Sequence, residues 1–149
     1  MAAYFLDTSA LVKLYVREAG TAQMIRLATR SDEPRLIILS LSRVELRSAI
    51  RRRVRSRELS QENAAAALAL FGEHLTSVFV VQPVAEAVLE RALAIIDAYD
   101  LRAYDAIQLA ACLAQAWPEA DGLVTFVSAD RRLLAVAEAA GLSILDPCT

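Results

Sequence analysis

The chain has 149 residues, enough for one domain with a full hydrophobic core. Hydrophobic residues make up 56% of it, a high fraction that predicts that some apolar surface is buried against another copy or a partner chain. Charged residues interrupt every apolar run, which excludes a membrane-spanning segment, and the first residues lack the basic start of a secretory signal. The net charge of −2 argues weakly against a nucleic-acid partner, and two cysteines without metal or disulfide spacing fit the cytosol.

Short apolar runs alternate along the chain with amphipathic segments. In chain order they predict a strand at 3–6, helices at 8–16 and 21–28, a strand at 36–39, an arginine-rich helix that opens at Ser42, a helix at 61–75, a strand at 78–81, helices at 85–99 and 104–116, a strand at 123–127, a helix at 130–140 and a strand at 142–145. Strands that alternate with helices favour a parallel sheet covered on both faces. The predicted fold is therefore a three-layer α/β/α domain with a central parallel sheet, over residues 1–149.

Four acidic residues lie where the predicted strands end or the helices begin. Asp7 and Asp130 follow apolar strands. Glu45 opens the helix after another strand, and Asp105 lies in the first turn of a later helix. The carboxyl ends of parallel strands meet at one edge of a sheet, where ligands bind in this class of fold. Carboxylates gathered there repel one another unless a cation lies among them, and oxygen ligands suit Mg²⁺ or Mn²⁺ better than Zn²⁺.

Each acid also has a simpler interpretation as part of a helix start. Aspartate is a preferred N-cap residue, Glu45 follows Ser42 at the spacing of a capping box, and an acid in a first turn complements the helix dipole. The helix at 104–116 argues against this interpretation for Asp105, because it is apolar nearly all round and is therefore expected to be buried. A buried carboxylate needs a cation or several hydrogen-bond donors.

The scarcity of histidine limits the possible chemistry. His74 is the only histidine, and its place late in an amphipathic helix predicts a surface or packing role. A serine–histidine–aspartate triad and a histidine-rich metal site are therefore both disfavoured. Carboxylates with a divalent metal ion can hydrolyse a phosphodiester without histidine, because the metal activates water and neutralises charge while a carboxylate accepts the proton.

Four segments of the chain resemble the PIN-domain nucleases. They are Leu-Asp-Thr-Ser-Ala-Leu at 6–11, Ser-Arg-Val-Glu at 42–45, Tyr-Asp-Ala-Ile-Gln-Leu-Ala at 104–110 and Val-Ser-Ala-Asp-Arg-Arg-Leu at 127–133. The segments follow the order found in that family and span essentially the whole chain. The small size is similar to that of the VapC-type toxins of type II toxin–antitoxin pairs.

This resemblance implies a metal-dependent endoribonuclease with a catalytic quartet of acids, Asp7, Glu45, Asp105 and Asp130. Asp7 and Asp105 are the implied direct ligands of the Mg²⁺ or Mn²⁺ ion, with Asp130 assisting. Glu45 is implied to lie at the metal or to position the attacking water.

The resemblance also implies supporting groups and partners. Ser9 and Ser128 would supply hydroxyls beside the acids, and Ser9 would help to orient an acid or a phosphate. The leading interpretation is thus the toxin of a two-component pair, which cuts RNA in the cytoplasm, has no membrane contact, forms a homodimer and is bound by a cognate antitoxin protein.

Seven arginines and one acid occupy residues 43–57, so the basic charge is concentrated on one predicted helix. Arg47, Arg51 and Arg55 recur at the spacing of one helical stripe, and Ile50 and Val54 beside them are expected to form an exposed apolar edge. The arginine stripe is predicted to contact either the phosphate backbone of RNA or the antitoxin. A solvated face of the helix is the simpler alternative.

Three other classes of protein compete with this interpretation. A haloacid-dehalogenase-like phosphatase needs a second aspartate two residues after the nucleophile, where this chain has Ser9. A receiver-like signalling domain needs a lysine after a late strand, whereas Lys13 lies on the first predicted helix. A PIN fold that only binds RNA or a protein is disfavoured by the complete set of acids.

Overall fold

The computed structural model describes residues 2–115 and 124–149. Its strands are β1 (Ala3–Leu6), β2 (Arg35–Leu39), β3 (Phe79–Gln82), β4 (Val124–Val127) and β5 (Ser143–Leu145). Its α-helices in these ranges are α1 (Thr8–Leu11), α2 (Thr21–Ala28), α3 (Ser42–Arg55), α4 (Gln61–Ser77), α5 (Glu86–Ala98), α6 (Ala103–Leu113) and α7 (Arg131–Ala139). The alternation of apolar runs and amphipathic segments in the sequence accounts for this order.

The five strands form one parallel sheet in the order β3-β2-β1-β4-β5. β1 is central, and its Phe5 lies opposite Ile37 of β2 and Phe126 of β4. The chain moves outward from β1 to β3 and then crosses to β4 on the other side of β1. The strand order therefore reverses between β1 and β4, which is the point where open α/β sheets bind ligands.

Two hydrophobic cores cover the two faces of the sheet. On one face, Ala3 and Phe5 of β1 pack with α5, α6 and α7. On the other face, Leu6 packs with α1, α2, α3 and α4. Successive residues of a strand point to opposite faces, so a wholly apolar strand is buried on both sides. Helices on both faces of a parallel sheet confirm the predicted three-layer α/β/α fold.

Element boundaries mostly lie close to the predicted ones, but the first helix is shorter. The sequence predicts one helix over 8–16, whereas α1 ends at Leu11 and a single 3₁₀ turn, Val12–Leu14, follows it. Such a tighter turn is a common helix ending. β3 begins at Phe79 because α4 extends to Ser77, two residues beyond its predicted end at 75.

Residues 116 and 123, which the sequence assigns to the end of a helix and the start of a strand, lie outside the described residues. In the two described ranges no helix combines the length and the apolar character that crossing a membrane requires.

Candidate active site

A cleft of about 520 Å³ opens where β1 and β4 end. Its walls come from α1, from one face of α3, from the first two turns of α6 and from the residue that caps α7. All four predicted acids line it: Asp7, Glu45, Asp105 and Asp130. They meet because parallel strands, and the helices that follow them, present their ends at the same edge of the sheet.

Asp7 is buried at the centre of a hydrogen-bond network. Its Oδ1 accepts a hydrogen bond from Ser9 Oγ at 2.6 Å and one from the Ala10 amide at 3.1 Å, and its Oδ2 accepts one from Ser128 Oγ at 2.9 Å. Burial raises the pKa of Asp7 to about 6, although these hydrogen bonds lower it, and the negative charge of Asp105 adds to the rise. Ser9 and Ser128 thus hold the Asp7 carboxylate in one orientation.

Glu45 is held by Gln108, a residue of α6 that sequence reasoning did not single out. The Gln108 side chain is 2% exposed. Its Nε2 donates to Glu45 Oε1 at 2.9 Å and to Ser42 Oγ at 3.0 Å, and it lies 3.3 Å from Thr8 Oγ1. Burial raises the pKa of Glu45, and hydrogen bonds from Gln108 and Thr8 counteract part of that rise. The amide thus connects α1, α3 and α6 at the cleft.

Asp105 and Asp130 repel each other across the same cleft. Burial raises the pKa of the half-buried Asp105, the negative charge of Asp130 raises it further, and the positive charge of Arg102 lowers it. Asp130 also caps α7, where its Oδ1 accepts hydrogen bonds from the amides of Arg132 and Leu133 at 3.0 and 3.2 Å. One oxygen of Asp130 thus has a structural role, and the side chain still lines the cleft.

The capping interpretation holds for two of the acids and fails for Glu45. Asp7 caps α1 and Asp130 caps α7 through side-chain hydrogen bonds to the helix amides. The residue at the N-cap of α3 is Leu41, which makes no such bond, and Ser42 lies inside the helix. The capping box suggested by Ser42 and Glu45 is therefore absent, and Glu45 is directed to Gln108 instead.

The carboxylate oxygens of the cleft are chemically suited to a hard divalent cation. In residues 2–115 and 124–149 no three acidic, histidine or cysteine side chains are grouped closely enough to hold a metal ion. The four carboxylates that line the cleft nevertheless offer oxygen donors of like charge, and the charges of Asp7, Glu45 and Asp130 each interact with that of Asp105. Gln108 Oε1 is buried without a hydrogen-bond partner. Carboxylate and amide oxygens are the ligands that Mg²⁺ and Mn²⁺ prefer.

The arginines that line the cleft differ from the predicted stripe. Arg52 and Arg53 of α3 lie on the cleft wall, whereas Arg47, Arg51 and Arg55 do not line it. The lining residues follow Glu45 at helical spacing, so counting three, four, seven and eight residues from Glu45 would have identified this face. The expected exposed edge at Ile50 and Val54 is wrong, because Ile50 is fully buried and Val54 is half-buried.

Arg53 joins the cleft wall to a partly buried ion-pair network. Its Nη2 donates to Glu18 Oε2 at 2.9 Å, and Lys13 Nζ donates to Glu18 Oε1 at 3.0 Å. Lys13 is 6% exposed, so its charge depends on Glu18 for compensation. Burial opposes ionisation of Glu18, but the two cations lower its pKa below the usual value. The network fixes the segment after α1 against α3.

His74 has the packing role that its position predicts. Its Nδ1 lies 2.7 Å from the Tyr15 hydroxyl, and its ring contacts Tyr15 and Phe79. It is not among the residues that line the acidic cleft. The candidate chemistry of the cleft therefore involves carboxylates, hydroxyls, an amide and arginines.

Replacing Gln108 with leucine is expected to lower kcat for a reaction at this cleft by roughly 10-fold or more, with little change in KM, because Glu45 loses the donor that orients it. The free energy of unfolding should fall by about 1–3 kcal/mol, because the buried Ser42 hydroxyl and the Glu45 carboxylate lose the donor that they share. The lost donor also raises the pKa of Glu45, so the acid limb of the pH–rate profile should move to higher pH.

Gln82 provides the matched control for this variant. It also has a partly buried amide with an unpaired Oε1, and its Nε2 donates to the Ala111 carbonyl at 3.2 Å, away from the cleft. Equal kcat values and equal pH profiles for Gln108→Leu and Gln82→Leu would contradict the positioning role.

Comparison with known proteins identifies the family. The profile of the PIN domain family matches residues 4–139. No curated protein matches the chain in sequence.

Solved structures with a similar fold include a protein from Pyrobaculum aerophilum, which is 23% identical, with 98% of this chain and 90% of that chain covered and a TM-score of 0.64. A sarcin–ricin loop cleaving VapC toxin from Mycobacterium tuberculosis is 21% identical, with 94% and 96% covered and a TM-score of 0.63. A toxin–antitoxin complex from Klebsiella pneumoniae contains a chain that is 16% identical, with 98% of both chains covered and a TM-score of 0.64. At such identities the structural likeness establishes the fold alone. The profile match over residues 4–139 shows that the chain belongs to the PIN domain family.

Proposed function

We propose that the protein is a metal-dependent endoribonuclease that hydrolyses phosphodiester bonds of RNA. The observation that carries this proposal is the convergence of Asp7, Glu45, Asp105 and Asp130 on one cleft at the point where the strand order reverses. Four carboxylates in one cleft are electrostatically unfavourable alone, and a divalent cation would offset their repulsion. Membership of the PIN domain family agrees with nuclease chemistry.

Asp7, Asp105 and Asp130 are the proposed ligands of Mg²⁺ or Mn²⁺. When bound, the ion would lower the pKa of a water molecule and neutralise charge on the phosphate. Ser9 and Ser128 keep the Asp7 carboxylate oriented through their hydrogen bonds. Metal dependence is thus proposed from the donor chemistry of the cleft.

Glu45 is the proposed acceptor of the proton from the attacking water. Its carboxylate lines the cleft, is half-buried, and is held in place by hydrogen bonds from Gln108 and Thr8. Burial raises its pKa, and a more basic carboxylate is a better proton acceptor near neutral pH. Arg52 and Arg102, which line the same cleft, are the proposed contacts for the RNA phosphates.

We further propose that the protein is the toxin of a toxin–antitoxin pair and acts in the cytoplasm. Structural neighbours include a toxin–antitoxin complex and a VapC toxin, and both described cysteines are free thiols, as expected in a reducing compartment. Three arginines of α3 that lie outside the cleft are still proposed contacts for RNA or the antitoxin: Arg47, Arg51 and Arg55.

A homodimer is proposed through the apolar stripe of α5. Leu89, Leu93 and Ile96 share one face of that helix at helical spacing, and all three are exposed, Leu93 at 64%. Covering such a stripe with its copy would bury apolar surface that water otherwise contacts.

The deciding experiment incubates the purified protein with a pool of structured RNA and Mg²⁺, beside a sample with excess EDTA. Cleavage that requires Mg²⁺ and leaves 5′-phosphate ends is expected. A non-catalytic PIN fold that only holds RNA or a protein is the alternative, and RNA binding without any cleavage would favour it. Equal cleavage with and without EDTA would contradict the metal-dependent mechanism.

A further inference from the structure

Tyr104 is the most exposed aromatic side chain in the described part of the chain, and it lies on the wall of the acidic cleft. Its exposure is 59%, whereas the other rings in residues 2–115 and 124–149 are buried or half-buried. Its hydroxyl has no hydrogen-bond partner among those residues. Aromatic rings present a large apolar face, so an exposed one on a cleft wall is a candidate for direct contact with a ligand.

The start of α6 places this ring beside a candidate metal ligand. Tyr104 and Asp105 are consecutive residues of the first turn, and both line the cleft. Consecutive helical residues point in directions about 100° apart, so the two side chains diverge. Asp105 is half-buried while Tyr104 is exposed, which puts the carboxylate deeper in the cleft and the ring nearer its mouth.

The wall formed by α3 repeats this arrangement. Val44, which is 67% exposed, directly precedes Glu45, and both line the cleft. On two walls, therefore, an exposed apolar side chain comes immediately before a partly buried carboxylate. The cleft offers apolar contacts at its mouth and negative charge deeper inside.

Two arginines add positive charge to the same surface. Arg52 and Arg102 both line the cleft, and neither forms a salt bridge with another described residue. Proteins that hold single-stranded nucleic acid combine cationic groups that meet the phosphates with aromatic rings that stack on the bases. The side chains at the mouth of this cleft supply both components.

We propose that the Tyr104 ring stacks on an unpaired nucleobase next to the RNA phosphodiester that enters the cleft. The inference rests on the proposed ribonuclease function and deepens it, because it names a single-stranded or looped segment as the substrate. Bases in a duplex are already paired and stacked, so they leave no free face for the ring. The contact needs the ring and does not need the hydroxyl.

The test measures binding of a labelled single-stranded RNA of mixed sequence by fluorescence anisotropy, in the Asp7→Asn background so that the RNA stays intact. Tyr104→Leu is expected to weaken binding roughly 10-fold, the range found when one base-stacking ring is removed. Tyr104→Phe should bind within about twofold of the parent, because it keeps the ring. Ile25→Ala is the matched control, since Ile25 is an exposed apolar residue of α2, at 46%, that lies away from the cleft.

A second arm uses one RNA sequence in which cleavage by the unmodified protein has located the cut site, and replaces the base next to that site by an abasic nucleotide. The Asp7→Asn protein should bind this RNA as weakly as Tyr104→Leu binds the intact RNA. The abasic nucleotide should not weaken the binding of Tyr104→Leu any further. Equal binding by Tyr104→Leu and the Asp7→Asn protein would overturn stacking. An equal loss in Tyr104→Phe would overturn it too, in favour of the hydroxyl.

Cleavage by the unmodified protein, measured in parallel, separates this inference from the proposed function. Normal Mg²⁺-dependent cleavage with no effect of Tyr104→Leu on binding would overturn stacking alone. Absence of both RNA binding and cleavage would overturn stacking and ribonuclease function together.

Discussion

Substitution of Asp105 by asparagine is expected to reduce the rate of RNA cleavage by roughly 100-fold or more, because it removes a proposed ligand of the metal ion. Asparagine has nearly the same size and keeps one oxygen, so the packing of α6 should persist. Burial and the neighbouring charge of Asp130 both disfavour the ionised form of Asp105 and raise its pKa. Removing the charge should therefore leave the melting temperature unchanged or slightly higher, and lost activity would not reflect unfolding.

The measurement compares Asp105→Asn with the unmodified protein and with Asp97→Asn, on the same RNA and at several Mg²⁺ concentrations. Asp97 lies exposed on α5 and does not line the cleft, so its variant should cleave at the normal rate. If Asp105→Asn cleaved as fast as the control, either the site would be wrong or a contaminating nuclease would be responsible.

Substitution of Asp7 by asparagine is expected to abolish cleavage and, in EDTA, to stabilise the protein. The unfolded chain ionises Asp7 near the ordinary pKa of 3.8, whereas the folded protein does so at about 6. As pH rises through this interval the unfolded state releases its proton first, so the free energy of unfolding falls and stays lower at neutral pH. The loss is on the order of 2–3 kcal/mol, and the neutral asparagine avoids it.

Thermal unfolding in EDTA at pH 7 should show a melting temperature about 4–12 °C higher for Asp7→Asn than for the unmodified protein. At pH 3 the difference should nearly vanish, because Asp7 is then largely protonated in both the folded and the unfolded protein. Mg²⁺ should stabilise the unmodified protein and have less effect on the variant. A lower melting temperature for the variant in EDTA would mean that the hydrogen bonds from Ser9 and Ser128 stabilise the Asp7 charge more than burial destabilises it.

The sheet and the meeting of the acids could be predicted because both depend on local patterns. Apolar runs such as 36–39 define buried strands, and parallel strands end at one edge whatever the details of packing. That rule was sufficient to bring Asp7 and Asp130 together. Glu45 and Asp105 required the further inference that their helices begin at the same edge.

The rotation of each helix about its axis could not be predicted in the same way. The spacing of Arg47, Arg51 and Arg55 defines a stripe on α3, but only packing against the sheet determines which stripe meets the cleft. Lys13 is paired with Glu18, and Glu18 is also paired with Arg53 of α3, a contact between distant segments that the pattern of residues 8–16 does not indicate. The role of Gln108 could not be predicted, because an amide in an otherwise apolar helix does not indicate which three side chains lie around it.

The buried position of Lys13 has a practical consequence, because Lys13 is the only lysine of the chain. A lysine-specific protease has one target in the sequence, and in the folded protein that side chain is paired with Glu18 inside the 3₁₀ turn. Cutting requires this segment to open first, so the rate of digestion reports local or global unfolding. Amine-reactive dyes and surfaces would attach to the folded chain through its terminal amino group, because the Lys13 amine is buried. The position of the label would then be defined.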